Sequence, residues 1–357
     1  MDRMMLDLYV DYLICSTSYT TATGLSNVTE NSISHDRITR FLSKRDYTGR
    51  DLWLIAKPLV RKIEAADGVI DIDDTIEEKP YTDENKYVSY HHDHKDNKSV
   101  KGINFLSALY VSKGHSIPVG FSIVEKTQEV IKKNGKKSRK DPVTKQQRFR
   151  ELLYNAVQNA INFRYALADV WFASVENMKY VRLDLEKHFI MPLKENRKIA
   201  LSEDNKKTGK FVSIKDLDLR EGIEIWLEDL PFAVRLVRVV FKNEDGSVGI
   251  LHLVTSDLEL TDDQVSTIYQ KRWKIETYHK SLKSNASLAK SPAKTPRTQA
   301  NHLFAAICAF IKLESLTIKI GTNHFAIKDQ IYIRSLRIAH AELGKITQAA
   351  NCAPGPA

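Results

Sequence analysis

Cysteine is scarce in this chain: Cys15, Cys308 and Cys352 are the only three among 357 residues. An odd number, spread toward the two ends, excludes a disulfide scaffold and a Cys-rich zinc module, and it fits a reducing cytoplasm. Long apolar runs are missing too. No stretch approaches the roughly 20 apolar residues of a membrane span. Asp2, Asp7 and Asp11 interrupt the N-terminal apolar positions, so the basic head and clean apolar run of a signal peptide are absent. The expected location is cytoplasmic, with no membrane partner. No internal repeat is visible. What is present is ordinary for a soluble globular protein, 42% hydrophobic and 28% charged. The length suffices for two or three domains around a large buried core.

Charge is unevenly placed. Lys and Arg number 54 against 45 Asp and Glu, a formal +9. Between Lys126 and Arg150 stand ten basic residues (Lys126, Lys132, Lys133, Lys136, Lys137, Arg139, Lys140, Lys145, Arg148, Arg150) against Glu129 and Asp141, a local excess of +8. A concentrated basic segment implies a polyanionic partner more than a generally basic surface does. A solvated loop accounts for the charge equally well.

Residues 1–65 read as helical, with Met5, Tyr9, Tyr12 and Leu13 spaced along one face. A helix–turn–helix follows: Thr21 to Val28, a turn at Thr29–Asn31, then Ser34 to Lys44. Its second helix carries Arg37, Arg40 and Lys44 outward and Ile38, Phe41 and Leu42 inward. Such pairs enter DNA grooves, and plain helical hairpins are commoner. Leu52 to Ile63 is a third helix, with a kink expected at Pro58. From Gly68 the texture turns to strands: Gly68–Ile76, Val100–Ser112 and Ile117–Lys126, the last two joined by a turn at Gly114–His115. A helix over Val143–Phe163, a strand over Tyr165–Phe172, a helix over Ser174–Lys187 and a strand over Phe189–Leu193 follow. Short strands with charged turns fill residues 194 to 259. One long helix is expected over Asp262–Ser284, a linker over Ser284–Arg297, an apolar helix over Ala300–Glu314, and a short helical tail. Three antiparallel strands followed by parallel ones is the order of a ribonuclease H-like α/β core. The expected architecture is a mixed five-stranded sheet with flanking helices, a β-rich insertion and an N-terminal helical domain. The expected boundaries are 1–66 for the N-terminal helices, 67–193 with 261–315 for the core, 194–260 for the insertion and 316–357 for the tail.

Three places can carry chemistry. Along the first strand, Ile70, Ile72, Asp74 and Ile76 share one face and Val69, Asp71, Asp73 and Thr75 the other. Asp74 interrupts an apolar face, and an unpaired carboxylate there is costly unless a cation relieves it; a strand-end Asp in solvent is the bland alternative. Asp169 ends a short apolar strand just before a helix, where open α/β sheets place ligands; a turn-forming Asp is equally ordinary. In the long helix, opened by a Thr261–Gln264 capping box, Tyr269, Arg272, Glu276 and Lys283 fall within an arc of about 60° at about 100° per residue. This polar stripe borders an apolar one of Ile268, Ile275 and Leu282. Surface i,i+4 pairing explains its charges, but not Tyr269 or the closeness of the stripe to the core. His91-His92-Asp93-His94 invites a metal reading, yet no distant ligand set completes a zinc site, and a polar loop between the first two strands is expected there.

Tyr269, Arg272, Glu276 and Lys283 form a complete Y-x2-R-x3-E-x6-K signature, and over about residues 68–315 the chain resembles bacterial DDE transposases of the fourth insertion-sequence family. The resemblance implies a catalytic and metal-binding triad of Asp74, Asp169 and Glu276, with Asp73 the alternative to Asp74. It implies Mg²⁺, with Mn²⁺ as a substitute, in a two-metal phosphoryl transfer. The implied partners are DNA, as terminal inverted repeats and target, and a second copy of the chain in a synaptic homodimer at the nucleoid. Tyr269, Arg272 and Lys283 are the implied contacts to the cleaved DNA end. A hairpin intermediate is implied, and Trp226 is the insertion aromatic chosen to support a flipped base. DNA-binding roles are further expected for Lys132, Lys133, Lys136, Lys137, Arg139, Lys140, Arg37 and Arg40. A ribonuclease H-like nuclease or resolvase, and an inactive DNA-binding descendant, are the competing functions.

Overall fold

The computed structural model describes residues 2–93, 97–131, 135, 137–242 and 246–352. The chain forms two compact units, Met1–Asp46 with Lys280–Ala357, and Tyr47–His279.

In the first unit, α1 (Arg3–Cys15) starts where the Asp2 side chain accepts from the Met5 amide, and it buries Met5, Tyr9 and Leu13. Next, α2 (Ala22–Val28) and α3 (His35–Ser43) are capped by Thr21 and Ser34. Ile38, Phe41 and Leu42 are buried, while Arg37 and Arg40 are exposed, as the spacing requires. The sheet-bearing unit opens with α4 (Gly49–Ile63), which keeps Pro58 inside a continuous helix.

The sheet grows from β1 (Val69–Glu78), β2 (Val88–Asp93), β3 (Lys98–Ser112) and β4 (His115–Ile123). Lys113 and Gly114, at φ 49° and 78°, make the β3–β4 turn, one residue earlier than expected; positive φ at both central positions matches the twist of paired strands. A small hairpin, β5 (Gln128–Ile131) with β6 (Lys137–Lys140), precedes α5 (Lys145–Gln158), β7 (Tyr165–Ala168), α6 (Val175–Lys179) and β8 (His188–Leu193). β3 lies antiparallel to β1 and β4, while β1, β7 and β8 are parallel neighbours. These five strands are the expected mixed core.

The stretch after β8 holds β9 (Lys198–Ile199), α7 (Glu203–Lys207), β10 (Val212–Ser213), β11 (Ile223–Ile225), β12 (Val234–Lys242) and β13 (Val248–Thr255). β13 pairs antiparallel with β8, so β13, β12 and β11 prolong the core into a nine-stranded sheet. That pairing covers the edge β8 would otherwise present and buries Leu253 and Val254. Then come α8 (Asp262–Gln270) and α9 (Trp273–Ser284), and after them α10 (Pro296–Ile320) and α11 (His324–Cys352).

Five expectations give way. The long helix over Asp262–Ser284 is two helices. At the junction the amides of Lys271, Arg272, Lys274 and Ile275 each bond three residues back, to Ile268, Tyr269, Lys271 and Arg272; this tighter winding interrupts the 100° progression that placed four signature residues on one straight stripe. His91, His92 and Asp93 lie on β2, paired with β3, and not in a loop; polar side chains hide a strand whose stability comes from backbone pairing. The basic loop is partly the β5–β6 hairpin. The Ser284–Arg297 linker is packed: Ser287 donates to the Leu13 carbonyl at 2.7 Å, and the His302 ring lies 3.1 Å from the Ser287 and Leu288 carbonyls. The short tail is the 29-residue α11.

Candidate active site

Alternation along β1 sends Asp73 and Asp74 to opposite faces of the sheet, and each meets a different cation. Asp73 accepts from Arg272 Nη2 at 3.0 Å. Asp74 Oδ2 accepts from Lys145 Nζ at 2.7 Å and from Asn104 Nδ2 at 2.6 Å. Asp71 shares the Asp73 face one step deeper. It is fully buried, and neither carboxylate oxygen has a hydrogen-bond partner among the described residues.

Asp169 leaves the C-terminal end of β7, parallel to β1. Its Oδ1 accepts the amides of Trp171 at 3.0 Å and Phe172 at 3.3 Å, a turn that fixes the carboxylate at the strand end. Tyr269 reaches the same end and donates to the Ala168 carbonyl at 3.3 Å. Arg272 sits at the α8–α9 junction, where the tight turn directs it to β1. One nitrogen reaches Asp73, and Nη1 lies 3.5 Å from Glu276 Oε1, which is half exposed. Glu276, Asp169, Tyr269, Arg272 and Trp273 line one cleft of about 980 Å³.

The electrostatics follow from this crowding. Burial pushes the Asp73 carboxyl up to about 7, with Asp169 and Asp74 adding to the rise and Arg272 opposing it. Burial raises Asp169 as well, Arg272 again opposing and Asp74 contributing. Asp71 is driven well above the usual carboxylate range by burial, against the pull of Arg272 and with help from Asp73, Glu276 and Asp169. Burial works against the Arg272 charge, but Asp73 and Asp71 more than offset it and hold the guanidinium firmly protonated. The cluster therefore contains more carboxylate than one arginine neutralises, and its donors are all hard oxygens, the chemistry of Mg²⁺ and similar ions. Among the described residues no three such side chains already stand around one point as ligands; Arg272 occupies the ground between them.

Sequence reasoning missed Asp71 and Trp273. Asp71 had a readable signal: two carboxylates on one face of a central strand that both sheet faces cover. Trp273 follows Arg272 directly and is 73% exposed at the cleft. Trp226 is only half-buried; its backbone pairs with Ala200 and the Lys206 ammonium lies over its ring at 5.6 Å. It does not line the cleft among the described residues. Lys283 is exposed on α9, two turns past Glu276. Of the basic segment, Lys132, Lys133 and Lys136 lie outside the described residues. Lys137 and Lys140 are exposed on β6, and Arg139 pairs with Glu84 at 3.7 Å. Arg148 is a structural cation, bonded to Asp141 at 2.8 Å and Ser122 at 2.7 Å. His91 is buried on β2 and pushed down to about 3, by burial first and then by Lys126 and Lys145; His94 lies outside the described residues.

The family model for the transposase DDE domain matches residues 65–311. The chain belongs to this transposase family. The match runs from just before β1 into α10, so it contains every acidic residue of the cleft. The large mixed sheet with flanking helices is the ribonuclease H-like arrangement expected of a DDE transposase, and transposases of this family generally use divalent metal ions. No curated protein matches the sequence significantly. A solved Drosophila P element transposase strand transfer complex is similar at 9% identity and a TM-score of 0.29, over 89% of this chain and 82% of that chain; so distant a likeness does not bear on the site. No described helix of the transposase is long and apolar enough to cross a membrane.

Proposed function

We propose that this transposase cuts DNA at the ends of a mobile element and joins the freed 3′ ends to target DNA, by a cut-and-paste route through hairpin ends. The observation that carries the reading is the gathering around Arg272 of acidic groups from β1, from the end of β7 and from α9, positions about a hundred residues apart in sequence. Asp169, Glu276 and one acid of the Asp73–Asp74 pair would hold divalent cations, Mg²⁺ with Mn²⁺ as a substitute. When bound, such cations lower the pKa of an attacking water or 3′-hydroxyl and stabilise the leaving oxygen. Asp73 shares its face with Arg272, whereas Asp74 is tied to Lys145, so Asp73 is the better supported of the two.

The chain's own residues do the rest. Arg272 offers a planar donor fork for a phosphate beside the acids, and Lys283 a second cation further along α9. Tyr269 is held against the β7 end, where its ring packs beside the DNA strand. Trp273, exposed at the cleft, supplies a face for an unstacked base and replaces Trp226 in that role. Lys132, Lys133, Lys136, Lys137, Arg139 and Lys140 track the DNA backbone. The α2–α3 pair, through Arg37 and Arg40, binds the element's end. Two copies act together, one per end, and the division into helical end-binding, catalytic and inserted regions follows that work. The deciding experiment incubates the full chain with candidate terminal-repeat duplexes in Mg²⁺, Mn²⁺ or excess chelator and scores nicking, hairpins and strand joining. Metal-dependent joining is expected. Cleavage that never leads to joining would favour a nuclease, and equal cleavage in chelator would end the metal reading.

A further inference from the structure

Asp71 is fully buried on β1, and among the described residues nothing bonds either of its carboxylate oxygens. The sheet offers it no partner: its register neighbours are Leu109 of β3 and Leu167 of β7, both buried. A buried carboxyl without partners costs free energy whether it is ionised or protonated, so each one in a native structure calls for a reason. Arg272 carries a second orphan. Its Nε is buried and likewise bonded to nothing among the described residues, although Nη2 reaches Asp73 at 3.0 Å and Nη1 lies 3.5 Å from Glu276 Oε1. After Asp73, Asp71 is the acid whose charge acts most strongly on this guanidinium. The two acids project from one face of β1, two residues and so about 7 Å apart along the strand.

We propose that Asp71 is a second seat for the Arg272 guanidinium, a positioning residue that takes the arginine off Asp73 and so frees the acids of the cleft for a divalent cation. The proposal rests on the reading above that these acids hold such a cation. Arg272 competes for the same oxygens, since it bonds Asp73 and approaches Glu276. A dication bound there repels the guanidinium. The displaced arginine then needs another anion within reach, because a buried charge left unpaired is expensive. Asp71 meets that need, and its two empty oxygens suit the planar donor fork of an arginine. Other donors are already engaged. The Tyr269 hydroxyl donates to the Ala168 carbonyl at 3.3 Å, and Lys145 holds Asp74, which points to the opposite face of the sheet. The two states therefore balance. Without the cation, Arg272 neutralises Asp73 and Asp71 stays empty; with it, the cation neutralises Asp73 and Arg272 fills Asp71.

Mn²⁺ binding to the full chain without DNA, followed near neutral pH by electron paramagnetic resonance of the free ion, tests this without any turnover. Asp71→Asn keeps the shape of the side chain and removes its charge; it should weaken Mn²⁺ binding at least tenfold, because Arg272 then stays on Asp73. Arg272→Gln removes the competitor and should bind Mn²⁺ at least as tightly as wild type. The deciding protein is the double variant Asp71→Asn/Arg272→Gln, which should match Arg272→Gln within about twofold. A double variant as weak as Asp71→Asn would overturn the proposal, since Asp71 would then act on the metal or on the fold directly. Wild-type affinity in Asp71→Asn would overturn it too. Urea unfolding without metal should find Asp71→Asn at least as stable as wild type, because the carboxylate has no partner to lose; a marked loss of stability would refute the empty seat. The two readings fail differently. A wild type that binds Mn²⁺ alongside an Asp71→Asn that binds it equally well removes the second seat alone, whereas a wild type and an Arg272→Gln variant that both fail to bind Mn²⁺ remove the metal reading and the seat with it.

Discussion

With divalent cations removed, the acidic cluster should make this transposase less stable as pH rises from about 4 to about 7.5. The argument turns on Asp73. An unfolded chain releases its proton near the ordinary value of 3.8, while the folded chain keeps it to about 7. Between those values the native state binds more protons than the unfolded state, so stability falls with rising pH and levels off above about 7. At about 1.4 kcal/mol for each tenfold difference, the gap corresponds to about 4 kcal/mol for this group, and Asp73 is buried enough, at 13% exposure, to feel most of it. In a unit of this size that is about 8–16 °C in melting temperature. Buried His91 works in the opposite sense. Its folded value of about 3 lies below the ordinary 6.5, so its contribution grows as pH rises through that window. The raw curve is therefore a sum, and the informative quantity is the difference between wild type and Asp73→Asn. Asn cannot ionise, so the variant should gain on the wild type by several kcal/mol between the two ends of the range, in urea unfolding of the full chain. Adding Mg²⁺ near pH 7.5 should then stabilise the wild type more than the variant, because a ligand bound only by the native state shifts folding by mass action. A difference between the two proteins that stays constant from about pH 4 to about pH 7.5 would refute the electrostatic reading of the cluster.

Other expectations are simpler. Glu276→Gln keeps the side chain's shape but removes its charge; it should abolish nicking, hairpin formation and joining while end binding, by gel shift, stays nearly intact. Trp273→Ala should reduce hairpin formation tenfold or more, about 1.4 kcal/mol per tenfold, with Trp226→Ala near wild type; the reverse order would return the base-stacking role to Trp226. Neutralising Lys132, Lys133, Lys136, Lys137 and Lys140 together should weaken DNA binding and flatten its salt dependence by up to about 0.9 for each phosphate that no longer meets a cation, and an unchanged slope would make the β5–β6 hairpin a solvated surface only.

What could be read from the sequence was local. The Thr261–Gln264 capping box, the β1 alternation, Asp169 at a strand end and the α2–α3 pair each depend on residues within a few positions of one another, and the structure keeps them. What escaped depended on contacts or on departures from regular geometry. The turn at Lys271–Arg272 cannot be seen by a 100° wheel, and it is what aims Arg272 at Asp73. Asp71 was placed on the Asp73 face but given no role, because nothing local shows that this end of β1 is buried on both faces. β2 went unseen because His91, His92 and Asp93 are not the residues that propensity assigns to strands, although β3 supplies their backbone partners. Of the ten basic residues counted between Lys126 and Arg150, Arg148 is paired with Asp141 and Lys145 with Asp74, pairings that depend on residues from other elements.

The first helices share their unit with the last ones, and this sets an order of events. α1 buries Tyr9 against His302 of α10, with the hydroxyl 2.9 Å from the ring, and Asn301 of the same helix donates to the Leu42 and Arg45 carbonyls. On the ribosome, the 233 residues of Tyr47–His279 emerge between these partners, roughly 10–50 s at common synthesis rates. For that interval α1–α3 have no core to complete, while the sheet unit has its strands in hand. A newly made chain thus acquires its acidic cluster before its helical unit, and its helical unit only when α10 has left the ribosome.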